Sequence, residues 1–218
     1  MAITFTLQRC PCLYYSYYLH HHYDVNLHGD WFTVTVTAAA SVAESWLSFV
    51  LHKNSESLAA RTLVAGLGVQ WTHRTDVPSH PADTLQLCVG EHCLIYQLSR
   101  ADSVPAFLRY FLRDRACTFV GYCNRYARRM LSLSPHHIQL ARDVPDVRRF
   151  LEEEFVGSSL ESIVEAQLGY TGVKTTVDVN LSDWGAVTLT DDQVMQAALE
   201  ARCVYLISHK LEVWRRHK

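Results

Sequence analysis

The stretch Leu-Val-Ala-Gly-Leu-Gly-Val-Gln-Trp at residues 63–71 constrains this chain more than any other. It has the apolar content and length of a buried strand, and its two glycines let another backbone or a ligand come close. A strand covered on both faces needs helices on either side of its sheet, so an α/β architecture follows.

The rest of the chain can supply those layers. With 218 residues, 49% of them hydrophobic, it can bury a sizeable core as one domain of ordinary α/β size. Charged residues make up 19% and the formal net charge is -2, so no global basic field points to nucleic acid. The seven cysteines, Cys10, Cys12, Cys88, Cys93, Cys117, Cys123 and Cys203, are odd in number and mostly set among apolar residues, which favours a reducing compartment. No stretch gives about 18 uninterrupted apolar residues, so no membrane span is expected. The expected location is cytoplasm, nucleus or both.

Residues 1–30 read as an aromatic and histidine-rich extension, and residues 31–218 as the globular domain. Cys10, Cys12, His20, His21, His22 and Asp24 do not match paired zinc spacings, so a strand-like or irregular extension packing its tyrosines is the simpler reading. From Phe32 to Thr37 the chain alternates with period two, as a half-buried strand does. Ser41 with Glu44 suggests a capping box, and Val42, Trp46, Phe49 and Val50 then share a helical face. A polar linker covers 53–61. Beyond the 63–71 strand, residues 85–89 and 93–98 form a hairpin around Gly90-Glu91. Helices are expected over 104–113, 125–131, 147–155 and 160–168, with short strands at 117–121 and 138–141. Residues 174–184 read as an extended loop. The last long helix begins at Thr190, with Asp191 and Asp192 at its positive end, and runs to about Trp214.

Several of these pieces share their order and spacing with one family. Val64 to Trp71, Thr84 to Gly90 with Cys93 to Leu98, Thr118-Phe119-Val120-Gly121, Leu160-Glu161, Leu168-Gly169-Tyr170, Ser182-Asp183-Trp184 and Leu189-Thr190-x-x-Gln193 carry the likeness. Over 32–211 the chain resembles the plant Werner-syndrome-like 3′-to-5′ exonuclease domains of the DEDDy class, in the ribonuclease H-like superfamily. The resemblance implies a mixed five- or six-stranded sheet of order 3-2-1-4-5 flanked by helices. It also implies self-association, a ring included.

Active members of that family hold two divalent cations that clamp the attacking and leaving oxygens, which requires converging carboxylates. Carried over by the resemblance, the five positions here are Gly68, Gln70, Ala127, Gln196 and Glu200, and only the last is acidic. A dication about 4 Å from one carboxylate gains roughly 8 kcal/mol of gross Coulomb energy at an effective dielectric of 20. With three such contributions missing, no catalytic residue, no metal site and no cofactor are expected; Mg²⁺ or Mn²⁺ would enter only with residual nuclease activity. A shifted register would have to recruit Asp76, Asp83 or Glu91 from loops or a turn.

Other constellations have simpler explanations. Cys123 has no placed base, and Ser132, Ser134, His136 and His137 fit a turn-rich loop. Arg125, Arg128 and Arg129 are the candidate nucleic-acid contacts, alongside Arg142, Arg148, Arg149 and the basic tail 214–218, opposed by Glu152, Glu153 and Glu154. The sequence reading is therefore a catalytically degenerate exonuclease-fold protein that engages an unidentified protein partner or itself. Non-cleaving nucleic-acid binding and residual metal-dependent 3′-to-5′ exonuclease activity are the alternatives.

Overall fold

The computed structural model describes residues 4–6, 20–73, 75 and 79–216. The expectations for Cys10, Cys12, the tyrosines at 14–18, Asp76 and the last two residues lie outside the described residues. The 63–71 stretch forms strand β4 (Leu63–Gln70), buried at every position. It pairs antiparallel with β5 (Thr84–Val89), which pairs antiparallel with β6 (His92–Gln97), so the hairpin forms as expected around Gly90. On its other edge β4 runs parallel to β7 (Cys117–Val120).

Those strands reproduce the 3-2-1-4 part of the expected order. Among the described residues the sheet has seven strands in the order β1-β2-β3-β6-β5-β4-β7, where β1 is Thr4–Thr6, β2 is His20–Leu27 and β3 is Asp30–Thr37. β3 lies parallel to β6, and β2 folds back antiparallel on β3 through a turn at His28-Gly29. At the far edge the fifth place holds an isolated bridge between Gly121 and Asp146 rather than a strand.

Alternation along β4 divides the core in two. Leu63, Ala65, Leu67 and Val69 pack under α1 (Ala40–Lys53), α3 (Ala106–Arg113) and α4 (Ala127–Leu133). Val64, Gly66, Gly68 and Gln70 therefore face the opposite layer. There α5 (Leu160–Leu168) and α7 (Asp191–Lys210) cover the sheet. Thr190 caps α7 in a reciprocal box with Gln193, as two unsatisfied N–H groups at a helix start favour. Gly66 is what lets this helix lie directly on the strand, because a Cβ there would fall 2.1 Å from the Ala201 carbonyl oxygen.

Several local expectations are corrected. Ser41 and Glu44 form no capping box, since the helix already starts at Ala40 and the Thr37 hydroxyl accepts the Ala39 N–H instead. The buried face of α1 is Ala43, Trp46, Leu47, Val50 and Leu51, leaving Phe49 exposed. The 53–61 linker contains a short helix, α2 (Ser55–Ala59), and the 174–184 loop contains another, α6 (Val177–Asn180). Residues 138–141 form no strand, although Ile138 and Leu140 are buried, because their backbones bond to α4 and α3 rather than to the sheet. In place of a 147–155 helix there are two 3₁₀ turns, Val147–Phe150 and Glu153–Phe155. The last helix ends at Lys210, followed by a 3₁₀ turn at Val213–Arg215.

Candidate functional site

A cleft of about 770 Å³ opens beside the C-terminal end of β4, between α4, α7 and the segment carrying α6. Such a volume suits a small ligand. Gln70, Ala127 and Glu200 line it, so three of the five positions singled out from the sequence converge although they come from a strand and two helices. The Gln70 Nε2 donates to Glu200 Oε2 at 3.3 Å. Burial pushes the Glu200 carboxyl up to about 7; the Gln70 hydrogen bond opposes that shift and the negative charge of Asp146 reinforces it.

The other two positions are used differently. Gly68 stands opposite Gln86 across β4 and β5, and a Cβ at 68 would meet the Gln86 Oε1 at 2.9 Å. That amide oxygen is buried and has no partner among the described residues, while its Nε2 donates to Thr84 Oγ1. Gln196 is buried outside the cleft lining and ties down the strap above it. Its Oε1 accepts from the Thr176 N–H at 2.9 Å, and its Nε2 donates to Asn180 Oδ1 at 2.6 Å. Thr175, Asn180 and Leu181 on that strap form one wall of the cleft.

The opposite wall is the turn Tyr122-Cys123-Asn124 that follows β7. Cys123 adopts a left-handed φ of 50°, and its N–H donates to Asp146 Oδ2 at 2.9 Å. Arg148 grips the same carboxylate through Nη2 at 2.6 Å and Nε at 2.9 Å. Burial would raise the Asp146 carboxyl, yet these donors outweigh it and hold the group below the usual carboxylate range. Asn124 in this turn is 7% exposed and tucks its amide against Gly121, where a Cβ would fall 2.1 Å from its Nδ2; neither Nδ2 nor Oδ1 has a hydrogen-bond partner among the described residues. Each such group costs about 1–3 kcal/mol if left unsatisfied.

Of the three candidate nucleic-acid contacts, only Arg129 reaches the cleft. Arg128 pairs with Asp143 at 3.4 Å on the surface, and the Arg125 guanidinium lies over the Tyr126 ring. Of the shifted-register acids, Asp83 is buried accepting the Thr72 N–H, and Glu91 sits in the hairpin turn. Ser132 and Ser134 donate to the carbonyls of Arg129 and Leu131, which accounts for both hydroxyls locally. No group of three or more His, Cys, Asp or Glu side chains arranged to hold a metal ion occurs among the described residues. Among them, too, no helix is long and apolar enough to cross a membrane. Asn124 and Gln86 escaped the sequence reading, because their importance rests on burial and cross-strand register rather than on a spaced motif.

No protein-family model and no curated protein matches the sequence. Solved structures do match in shape. The Aedes aegypti Nibbler EXO domain superposes with a TM-score of 0.60 at 14% identity, covering 84% of this chain and 88% of that one. Escherichia coli RNase D, described as an exoribonuclease involved in structured RNA processing, gives 0.56 at 22% identity over 74% of this chain. Brucella melitensis NrnC gives 0.55 at 16% identity, over 70% of this chain and 74% of that one. The chain spans 42% of RNase D, so the likeness is to one part of that protein. What this chain shares with them is its fold, a mixed sheet flanked by helices.

Proposed function

We propose that this chain is a catalytically degenerate member of the exonuclease fold, working by binding rather than by hydrolysis and engaging a protein partner or another copy of itself. The observation that carries this reading is the Gln70 N–H donated to Glu200 Oε2 at 3.3 Å. A donor hydrogen stands where a cation-binding site would need a second anionic oxygen. The donor set does not fit two divalent cations. Gly68 and Ala127 offer no ligand atom, Gln196 is spent on the strap, and Glu200 is pushed up to about 7. Gln86 also crowds the space beside Gly68.

Hydrolysis of a 3′-labelled single strand in millimolar Mg²⁺ or Mn²⁺ tests the reading, with Glu200→Ala as control. No digestion is expected from either protein, and Mn²⁺ should leave the thermal unfolding midpoint unchanged, since a cation bound to the native state would raise it. Digestion lost in the Glu200→Ala variant would overturn the proposal. Arg129 in the cleft wall favours non-cleaving nucleic-acid binding as the second reading. That reading requires an affinity that falls with salt and weakens in Arg129→Gln.

A further inference from the structure

We infer that a groove beside α1, on the far part of the sheet, holds a site for one late first-row divalent cation of the nickel-to-zinc class, chelated by His20 and His22. The site lies outside the cleft and does not depend on the proposed loss of hydrolysis. Read along the chain, three adjacent histidines match no metal motif. Strand β2 sorts them by alternation. Tyr23, Val25 and Leu27 enter the α7-side core, and His21 turns to that same side, where it is exposed. His20, His22 and Asp24 are left together on the other face, lining a groove of about 640 Å³.

The His20 and His22 ring centres are 4.5 Å apart. A cation about 2.0–2.1 Å from one nitrogen of each imidazole, with the two bonds near a right angle, holds the rings at about that separation, so chelation asks for little movement. His22 is already oriented: its Nδ1 meets Thr35 Oγ1 at 3.1 Å, and Thr35 is buried on β3. That contact makes Nε2 the metal-facing nitrogen, since a hydrogen bond at one ring nitrogen sets the direction of the other. Burial holds both imidazoles below the ordinary histidine value, with His21 adding to this at His20, and His20 adding to it at His22 against the opposing charge of Asp24. Protons therefore compete little with a cation at neutral pH.

Charge selects the place within the groove. At its other end Lys53 Nζ lies 3.4 Å from His92 Nε2, so a cation there would meet an ammonium. Beside His22 stands the Asp24 carboxylate instead, two residues along the same face, and its charge favours a cation. The imidazoles select the chemistry. They suit nickel, copper and zinc, whereas Mg²⁺ takes oxygen ligands and Mn²⁺ stands lowest in the divalent order. Two protein ligands leave the remaining positions to water from the open groove, in keeping with the lack of any cluster of three metal-binding side chains among the described residues.

Titration calorimetry of the untagged full chain with Ni²⁺ tests this. One ion per chain is expected, with micromolar affinity, and neither Mg²⁺ nor Mn²⁺ at the same concentration should displace it. His20→Asn and His22→Asn should each weaken binding by about ten-fold or more, and Thr35→Val, which removes the hydroxyl that orients His22, by a smaller factor. His21→Asn should bind as the wild type does. Should a ligand variant fail to fold, the histidine ring signals of the wild type decide by nuclear magnetic resonance: Zn²⁺ is expected to move those of His20 and His22 and to leave that of His92. No binding at millimolar Ni²⁺, wild-type affinity in the His20→Asn, His22→Asn double variant, affinity lost in His21→Asn, or a Zn²⁺ response at His92 in place of His20 and His22 would overturn the inference. Metal-dependent digestion lost in Glu200→Ala would overturn the proposed function and leave this site standing, so the two failures are distinguishable.

Discussion

Glu200 meets the Gln70 amide on one side and the fixed charge of Asp146 in the turn beyond, and its burial holds the proton on to about pH 7. Its folded value therefore lies above the ordinary 4.5 of an exposed glutamate. The stabilisation this gives is complete below about pH 4.5 and is lost as pH rises through about 7, because the native state must then carry a buried charge. Glu200→Gln removes the titration. Relative to that variant, the wild type should lose roughly 2–3 kcal/mol of stability between pH 5 and pH 8.5, at about 1.4 kcal/mol per pKa unit. Urea unfolding of both proteins across that range checks it, and parallel curves would refute the assignment. Gly68→Asp puts a carboxylate against the buried Gln86 Oε1, so it should destabilise the fold by about 1–3 kcal/mol in denaturant melts instead of restoring a ligand.

Among the elements, α7 does most to define the molecule, since it packs on β4, β5 and β6 and closes the cleft through Glu200. Its approach to β4 depends on Gly66. Gly66→Ala would force Cβ onto the Ala201 carbonyl, which cannot move without moving the helix, so a loss of about 3 kcal/mol is expected in thermal or urea unfolding. Arg202 anchors the same helix to the β2–β3 turn: its Nη2 pairs with Asp30 at 2.7 Å, and its Nη1 donates to the Gly90 carbonyl. Asp30→Ala leaves a nearly buried guanidinium without its counter-charge and should cost about 3–5 kcal/mol, whereas Arg202→Met with Asp30→Ala should cost clearly less. Denaturant midpoints of the single and double variants decide this. The long helix was legible from Thr190 with Asp191 and Asp192, because acidic side chains in a first turn suit the positive end of a helix; the Thr190–Gln193 capping box became visible only in the structure. The hairpin was legible from alternation around Gly90. Ser41 and Glu44 carry a capping-box signature in sequence, yet Thr37 accepts the Ala39 N–H and the helix begins earlier. Alternation at Ile138–Ala141 likewise reflects burial beneath helices, which a period of two cannot distinguish from strand pairing. At the site, positions 70, 127 and 200 were located through a family likeness, while Asn124 and Gln86 became visible only when folding placed them.

At the scale of the whole molecule, strands β2 and β3 extend the sheet beyond the order expected from the sequence and carry a second surface. On β3, Trp31, Thr33 and Thr35 share one side, and Phe32, Val34 and Val36 supply the α7-side core. The first side faces a groove of about 640 Å³ whose walls include Trp46, Phe49, His22 and His92. Trp31 is 55% exposed and Phe49 is 52% exposed, and large aromatics displayed on one side of a sheet are the kind of anchor on which interfaces concentrate their energy. Self-association, if it occurs as proposed, would use this surface, whose groove shares no lining residue with the cleft. Replacing Trp31 and Phe49 together by serine should shift the proposed assembly to a monomer in sedimentation or light scattering at micromolar concentration. Neither side chain supports the core, so the unfolding midpoint should move by less than the Gly66→Ala midpoint does. A wild type that is monomeric throughout the micromolar range would remove self-association, leaving a different protein as the partner to be sought on that face.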